Sequence, residues 1–141
     1  MHVRIQRPTK DSTVFTATVA AHHCRRGGVL FDAVNGANGV LAWVRSPGPG
    51  PLTAGSFPLL GRGDSVTPRG AIVAVRFIWH DVAHGFPVDS GVLTLSAAGR
   101  WYRGRIQGSG TDLGSAIRGT VDIAIDSISP RPDTLACGAQ Q

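Results

Sequence analysis

The chain has 141 residues, enough for one domain with its own hydrophobic core. No run approaches the ~20 apolar residues that cross a bilayer as a helix, and the N-terminal sequence MHVRIQRPTKD is too polar for a signal peptide. The net charge of +5 comes from basic residues dispersed between Arg4 and Arg131, which is typical of a solvated surface rather than of a dense anion-binding patch.

The amino-acid composition disfavours helices. Every acidic residue is Asp, Lys10 is the only lysine and Met1 the only methionine. Glu, Lys and Met are strong helix formers, whereas the abundant Gly and Pro favour turns and Val, Ile and Thr favour strands. The composition therefore predicts strands joined by tight turns.

Strand patterns repeat along the chain with turn signals between them. The predicted strands are 2–7, 12–21, 27–34, 40–45, 53–60, 71–79, 90–97, 101–108 and 117–128. The Asn-Gly pairs of NGANG (35–39) favour a hairpin. The interior proline of TAGSFPLL (53–60) places that strand at an edge, and AIVAVRFIW (71–79), the longest apolar run, is predicted to be a central core strand.

Two segments of the second half are predicted to be loops rather than strands. These are HDVAHGFP (80–87) and the glycine-rich SGTDLGSA (109–116). The pattern as a whole predicts a single all-β domain over 1–141, an antiparallel β-sandwich of about nine strands, with a rolled β-barrel as the alternative. We expect an N-terminal edge strand and turn over 1–11 and a C-terminal tail over 129–141.

The chain has two cysteines, Cys24 and Cys137. A disulfide between them would close nearly the whole chain, and the alternative is two free buried thiols, which behave as small hydrophobic side chains. Cys137 lies in a polar segment where a free thiol would be exposed, so we favour the disulfide. A bridge would indicate an oxidising compartment outside the cytoplasm.

Several short motifs resemble catalytic or metal sites but lack the required context. HDVAH places His80 and His84 at the spacing of a helical zinc site, yet a strand precedes the motif and Gly85 and Pro87 follow it. We therefore expect two exposed loop histidines whose replacement by Ala changes stability by less than ~0.5 kcal/mol. His22-His23-Cys24 offers only two ligands on one face. VDSG (88–91) and RGD (62–64) are interpreted as turns, so no catalytic residue, metal ligand or cofactor site is predicted.

The strongest candidate for an interaction surface is the segment RWYRGR (100–105), which combines aromatic rings with cations. Its residues are Arg100, Trp101, Tyr102, Arg103 and Arg105. Strand alternation sends Trp101 and Tyr102 to opposite faces. An exposed ring flanked by arginines suits a protein-binding hot spot, and the alternative is a stacking platform for single-stranded nucleic acid.

The order of five phrases carries a resemblance to a family. AGSFPLL, RGAIVAVRF, DSGVLTLS, WYRGRIQGSG and IRGTVDIAI followed by DTLAC resemble small exported, lipoprotein-like bacterial β-domains of unknown function, over about 15–137. The resemblance implies a β-sandwich, export and a disulfide between the two cysteines. It implies no activity and no functional residues.

These observations favour a non-enzymatic structural or interaction module. We expect an extracytoplasmic, for example periplasmic, accessory subunit that docks on a protein or on a membrane complex such as a photosynthetic reaction-centre assembly. Such a subunit would lie peripheral to the membrane and would not cross it. A single-stranded nucleic-acid-binding domain is the alternative function, and a hydrolase ranks third.

Overall fold

A computed structural model describes residues 1–48 and 50–137, and every regular element in these two ranges is a β-strand. In chain order the strands are β1 (His2–Gln6), β2 (Ser12–Thr16), β3 (Thr18–Cys24), β4 (Val29–Asn35), β5 (Asn38–Arg45), β6 (Gly55–Pro58), β7 (Gly70–Trp79), β8 (Val82–Ala97), β9 (Tyr102–Thr111), β10 (Arg118–Ile128) and β11 (Pro130–Leu135). No helix that could span a bilayer occurs in the described ranges. The all-β prediction is confirmed.

The strands form one strongly curled mixed sheet, a half-barrel. Their order across the sheet is β11-β3-β4-β5-β7-β8-β9-β10-β1-β2, and β6 pairs with β8. All of these neighbours are antiparallel except β11, which runs parallel to β3. The predicted C-terminal tail therefore contains an edge strand, and the predicted edge position of 53–60 agrees with β6, which pairs on one side only.

The predicted strand over 12–21 is divided by a bend at Ala17. Ala17 and Met1 exchange two backbone hydrogen bonds of 2.9 and 3.0 Å, which end the pairing of β2 with β1. Beyond the bend, β3 pairs with β4 instead. The prediction of an N-terminal edge strand is wrong, because β1 lies between β10 and β2 and leaves β2 at the edge.

The predicted loop over 80–87 is a tight hairpin. His80 and Asp81 both have positive φ, 51° and 61°, and two such residues make the turn that fits the twist of paired strands. The loop prediction is wrong because Val82 already pairs with Trp79 and strand β8 begins there. Neither residue is a glycine, so the sequence carried no strong turn signal at this point.

Most strands turn alternate side chains into a core on the concave side of the sheet, while β11 at the edge contributes no buried side chain. The largest fully buried side chains are aromatic: Tyr102, Phe31, Phe57, Phe77 and Phe86. They come from strands spread across the sheet, from β4 to β9. Because the sheet curls around them, a single layer of strands encloses its own core.

Three inward-facing glycines allow that curl where β8 and β9 meet. A Cβ added at Gly104, Gly108 or Gly110 would lie 2.0–2.4 Å from a carbonyl oxygen of β8. The register between the two strands also shifts twice, and glycines and bulges are the features that bend sheets sharply. The prediction of a loop starting at 109 is wrong, because Ser109 and Gly110 continue strand β9 and pair with β8 on one side and with β10 on the other.

The two cysteines form a disulfide, with their Cα atoms 5.4 Å apart, as predicted. The bridge holds β11 beside β3, where the Arg25 amide also donates to the Leu135 carbonyl over 2.8 Å. The C-terminal strand is therefore attached to the sheet edge by covalent and backbone bonds together.

Replacing Gly108 by Ala should lower the free energy of unfolding by about 1–3 kcal/mol, because the added methyl must push β8 away from β9. Gly61→Ala is the matched control, since no atom lies within 4 Å of its added Cβ. Urea unfolding monitored by circular dichroism measures both variants. A Gly108→Ala protein as stable as the control would contradict the role assigned to this close approach.

Candidate functional site

The side chains of the predicted interaction segment (100–105) do not all lie on one surface. Trp101 lies in the turn before β9 with 55% of its side chain exposed, beside the exposed Arg100. Tyr102 is fully buried and packs edge-on against Phe31, with ring centroids 5.6 Å apart. Tyr102 is therefore wrong as a surface contact, because alternation at the start of β9 turns its ring into the core.

The arginines of the same segment bind groups on the neighbouring strand β10. Arg105 donates to the Asp122 carboxylate over 2.8 Å, and Arg103 donates to the Ser127 hydroxyl over 2.8 and 3.0 Å. The hydrogen bond from Arg105 holds the pKa of Asp122 below its usual range. These contacts leave Arg100 and Trp101 as the members of the segment whose side chains face solvent and form no hydrogen bond in the described ranges.

The outer face of β9, β10 and β1 is polar throughout. Its outward side chains include Arg103, Arg105, Gln107, Ser109, Arg118, Thr120, Asp122, Arg4 and Gln6. Two of its arginines are paired with acids on other strands, Arg105 with Asp122 and Arg118 with Asp89, each over 2.8 Å. A solvated outer face of this kind is what an antiparallel sheet normally shows.

The outer face of β4, β5 and β7 is different, because it is mostly apolar. Its outward apolar side chains are Leu30 and Val34 of β4, Leu41 and Trp43 of β5, and Ile72, Ala74 and Ile78 of β7. We call these seven residues the apolar outer face. They lie in adjoining rows, since Leu41 is paired with Ala74 and Trp43 is flanked by Leu30 and Ile72.

The centre of the apolar outer face is open to solvent. Leu41 is 48% exposed and Val34 49% exposed, whereas their strand neighbours Val40 and Ala33 point inward and are at most 2% exposed. Contiguous exposed apolar side chains are unusual on a monomer and mark interaction sites. This face therefore stands out from the rest of the outer surface.

The backbone beneath this face is regular. Each pairing among β3, β4, β5 and β7 runs residue by residue without a register shift, whereas the shifts fall in the pairings of β8 with β9, β9 with β10 and β11 with β3. A regular ladder presents its side chains as an even layer, which suits packing against a second layer about 10 Å away.

One acid and one base lie within the apolar outer face on opposite flanks. Asp32 of β4 is opposite Leu41, and in the described ranges its carboxylate takes part in no ion pair. Arg76 of β7 is exposed and donates to the Ala37 carbonyl over 3.0 Å. The two flanks thus carry charges of opposite sign, separated by β5, whose own outward arginine, Arg45, lies 4.9 Å over the Trp43 ring and is paired with Asp64.

A second candidate is a buried polar cluster at the end of the half-barrel that contains the β7–β8 turn. Arg7, His84 and Asp112 are the buried charged or polar residues of the described ranges. His84 Nδ1 lies 2.7 and 2.9 Å from the two Asp112 oxygens. The Arg7 guanidinium lies 4.0 Å from the centre of the Trp79 ring, a cation–π contact.

The expectation that His84 is an exposed loop residue is wrong. Since β8 begins at Val82, alternation turns His84 inward, where its ring stacks on Phe77 with centroids 5.2 Å apart. His80 stays exposed in the turn. The described residues contain no group of three His, Cys or acidic side chains placed to hold a metal ion.

The cluster leaves too little space for a substrate. The cavity between Arg7, Trp79, Asp112 and Ile117 has a volume of about 20 Å³, which accommodates about one water molecule. Burial alone would raise the pKa of Asp112, but hydrogen bonds from His84 and the Gly114 amide outweigh it and lower the pKa. We interpret the cluster as a polar plug that closes this end of the core.

His84→Ala should destabilise the fold by about 3 kcal/mol or more, because it leaves the Asp112 carboxylate buried without its partner. His80→Ala removes an exposed imidazole and should change stability by less than about 0.5 kcal/mol. Because the pKa of Asp112 is lowered, the contribution of its carboxylate is complete above pH ~4 and is lost as the pH falls further. Urea unfolding at neutral pH tests the pair of variants, and equal stabilities would contradict the plug.

The RGD motif (62–64) lies in a loop whose residues form hydrogen bonds to the motif's own acidic residue, Asp64. The Asp64 carboxylate accepts hydrogen bonds from the Val66 amide over 3.0 Å, the Thr67 amide over 2.9 Å and the Thr67 hydroxyl over 2.6 Å, and Arg45 lies 3.2 Å away. The Thr67 hydroxyl is the main cause of a pKa of about 2. Asp64 therefore orders the loop between β6 and β7.

Thr67→Val should raise the pKa of Asp64 from about 2 towards 3.8, because the strongest hydrogen bond to the carboxylate is lost. An NMR titration of the side-chain carboxyl measures the shift. Ser65→Ala, which changes an exposed neighbour, should leave the pKa at about 2. An unshifted pKa in Thr67→Val would contradict this account of the loop.

The remaining motifs are also engaged in local contacts. His22 Nδ1 lies 3.2 Å from the Asp133 carboxylate of β11, and Cys24 is in the disulfide. Asp89 of VDSG pairs with Arg118, whose hydrogen bond lowers the pKa of that acid. Comparison of the chain with protein-family models, with curated proteins and with solved structures finds no match.

Proposed function

We propose that this protein is a non-enzymatic interaction module that docks on another polypeptide through the apolar outer face. The observation that carries the proposal is the exposure of apolar side chains on the outside of β4, β5 and β7, where Leu41 and Val34 are about half exposed. Strands that are apolar on both faces are typical of sheets that are covered on both faces. The concave side is covered by the core, so the convex side is the one that requires a partner.

The surface chemistry also supports a protein as the partner. The apolar outer face combines a half-buried indole, Trp43, with Leu41 and with the exposed Arg76 at its rim. Aromatic residues and arginine are enriched at protein interfaces, and an apolar centre with a polar rim is their usual arrangement. A partner with a flat apolar surface bounded by opposite charges would complement this face.

The compartment that we propose is extracytoplasmic, with the protein acting as an accessory subunit. The disulfide between Cys24 and Cys137 indicates an oxidising environment, and the resemblance to small exported bacterial β-domains agrees with it. We infer further that the half-barrel is a rolled barrel rather than a sandwich. The bend at Ala17 supports this inference, since one continuous segment pairs with β1 on one side and with β4 on the other.

Single-stranded nucleic acid fits this surface less well. Arg105 and Arg118 are matched by Asp122 and Asp89, and Tyr102, which would provide a stacking platform, is buried. Matched arginines release fewer counterions on binding phosphates, so the affinity that they add is small.

Leu41→Asp should weaken binding to the partner protein at least about 100-fold, as expected for a charge placed at the centre of an apolar interface. The partner is first captured by the immobilised protein from an extracytoplasmic extract, then purified and titrated by calorimetry. Val14→Asp is the matched control, because Val14 is 61% exposed on β2, outside the apolar outer face. The control should bind within about threefold of the unchanged protein.

Two outcomes of this experiment would overturn the proposal. One is equal binding by Leu41→Asp and Val14→Asp, which would place the interface elsewhere, with Trp101 as the next residue to replace. The other is submicromolar binding of mixed single-stranded DNA with a steep salt dependence, which would make nucleic acid the ligand.

A further inference from the structure

We infer that the polypeptide that covers the apolar outer face is a second copy of this chain, placed by a two-fold axis that runs along strand β5. This inference rests on the proposed function and names the partner of the same surface. It is carried by the placement of Asp32 and Arg76 on either side of Leu41.

A face that binds its own copy must be complementary to itself. In a two-fold dimer each contact occurs twice, so residues on one flank meet residues on the other flank of the partner. The apolar outer face has its acid on β4 and its base on β7, with β5 between these strands. One acid and one base on opposite flanks are the arrangement that such symmetry requires.

The positions of the charges select the direction of the axis. An axis along β5 places β4 of one copy over β7 of the other at the same height, so Asp32 faces Ala74 of the second copy. Arg76 follows Ala74 by two residues, about 7 Å along the strand, which is within the reach of an arginine side chain. An axis across the strands at the level of Leu41 would instead stack Asp32 on Asp32 and repel.

A two-fold axis along β5 also places apolar residues of one copy against apolar residues of the other. Leu41 and Trp43 lie on the axis and contact their own copies, while Leu30 of β4 faces Ile72 of β7. The regular ladder beneath them allows the two faces to pack as two aligned sheets. The patch spans only three strands, so we expect a dimer that dissociates in the micromolar range, roughly 1–100 μM.

Sedimentation velocity of the full oxidised chain over a concentration series tests the dimer directly. The unchanged protein should shift from monomer to dimer with rising concentration, and Val14→Asp should behave in the same way. Leu41→Asp and Ala74→Asp, two changes at exposed positions, should both remain monomeric, the second because it places a carboxylate opposite Asp32 of the other copy. Circular dichroism melting curves establish that each variant is folded.

A charge exchange tests the orientation. Asp32→Arg and Arg76→Asp should each weaken self-association at least about tenfold, because each creates two like-charge contacts in the dimer. An equimolar mixture of the two variants should form a heterodimer, since Arg at 32 then faces Asp at 76 and Asp32 faces Arg76. The double variant that carries both changes should self-associate again.

The outcomes separate this inference from the proposed function. If the unchanged protein stays monomeric at several hundred micromolar, the second copy is not the partner. The proposed docking function would still stand in that case if Leu41→Asp abolished the binding of a different protein. A dimer that Leu41→Asp and Ala74→Asp do not weaken would also overturn the second copy as the occupant of this face. A dimer that depends on Leu41 but is insensitive to the charge exchange would overturn the two-fold axis along β5.

Discussion

The close approach of β8 to β9 is the constraint on which the shape of this protein depends. Gly104, Gly108 and Gly110 face inward, and no side chain fits between their Cα atoms and the β8 carbonyl oxygens. The strands can therefore come together on the concave side, and the sheet closes around its own aromatic core. A flatter sheet of the same strands would need a second layer from the same chain to cover that core.

The curl has a consequence for the opposite part of the sheet. The register shifts lie in the pairings of β8 with β9, β9 with β10 and β11 with β3, whereas the ladder from β3 to β7 stays regular and its outer side is left uncovered. The ends of the half-barrel are secured by other means. One end holds the buried plug of Arg7, His84 and Asp112, and the C-terminal strand is attached to β3 through the Cys24–Cys137 bridge. The apolar outer face is thus the large surface feature that the internal packing does not explain.

Composition and period-two patterns were sufficient to predict an all-β chain, most of its strands and the disulfide. The patterns failed where backbone geometry overrides residue type. His80 and Asp81 form a two-residue turn in a left-handed conformation that glycine adopts most readily, so without a glycine there the sequence does not reveal the start of β8 or the burial of His84. Gly110 is predicted to lie in a loop because a glycine that permits close approach and a glycine that permits a turn look the same in sequence.

The candidate surface was only partly predictable for a related reason. The alternation at Trp101 and Tyr102 correctly sends the two rings to opposite sides, but sequence alone does not say which ring faces the core. The run AIVAVRFIW (71–79) is predicted to be a central strand because it is apolar in both alternate positions, and its outward half contributes to the apolar outer face. Which half of the run points outward depends on how the sheet curls, and the curl follows from backbone geometry that the sequence pattern does not specify.

The central claim is that the outer face of β4, β5 and β7 is covered by another polypeptide when the protein functions. Methyl NMR of the full oxidised chain with a soluble paramagnetic probe measures this coverage at individual residues. The account predicts that the methyl groups of Val34, Leu41 and Ile78 lose their exposure to the probe as the protein concentration rises or the captured partner is added, while Val14 stays exposed. Methyl groups of the apolar outer face that remain as accessible as Val14 under all of these conditions would contradict it.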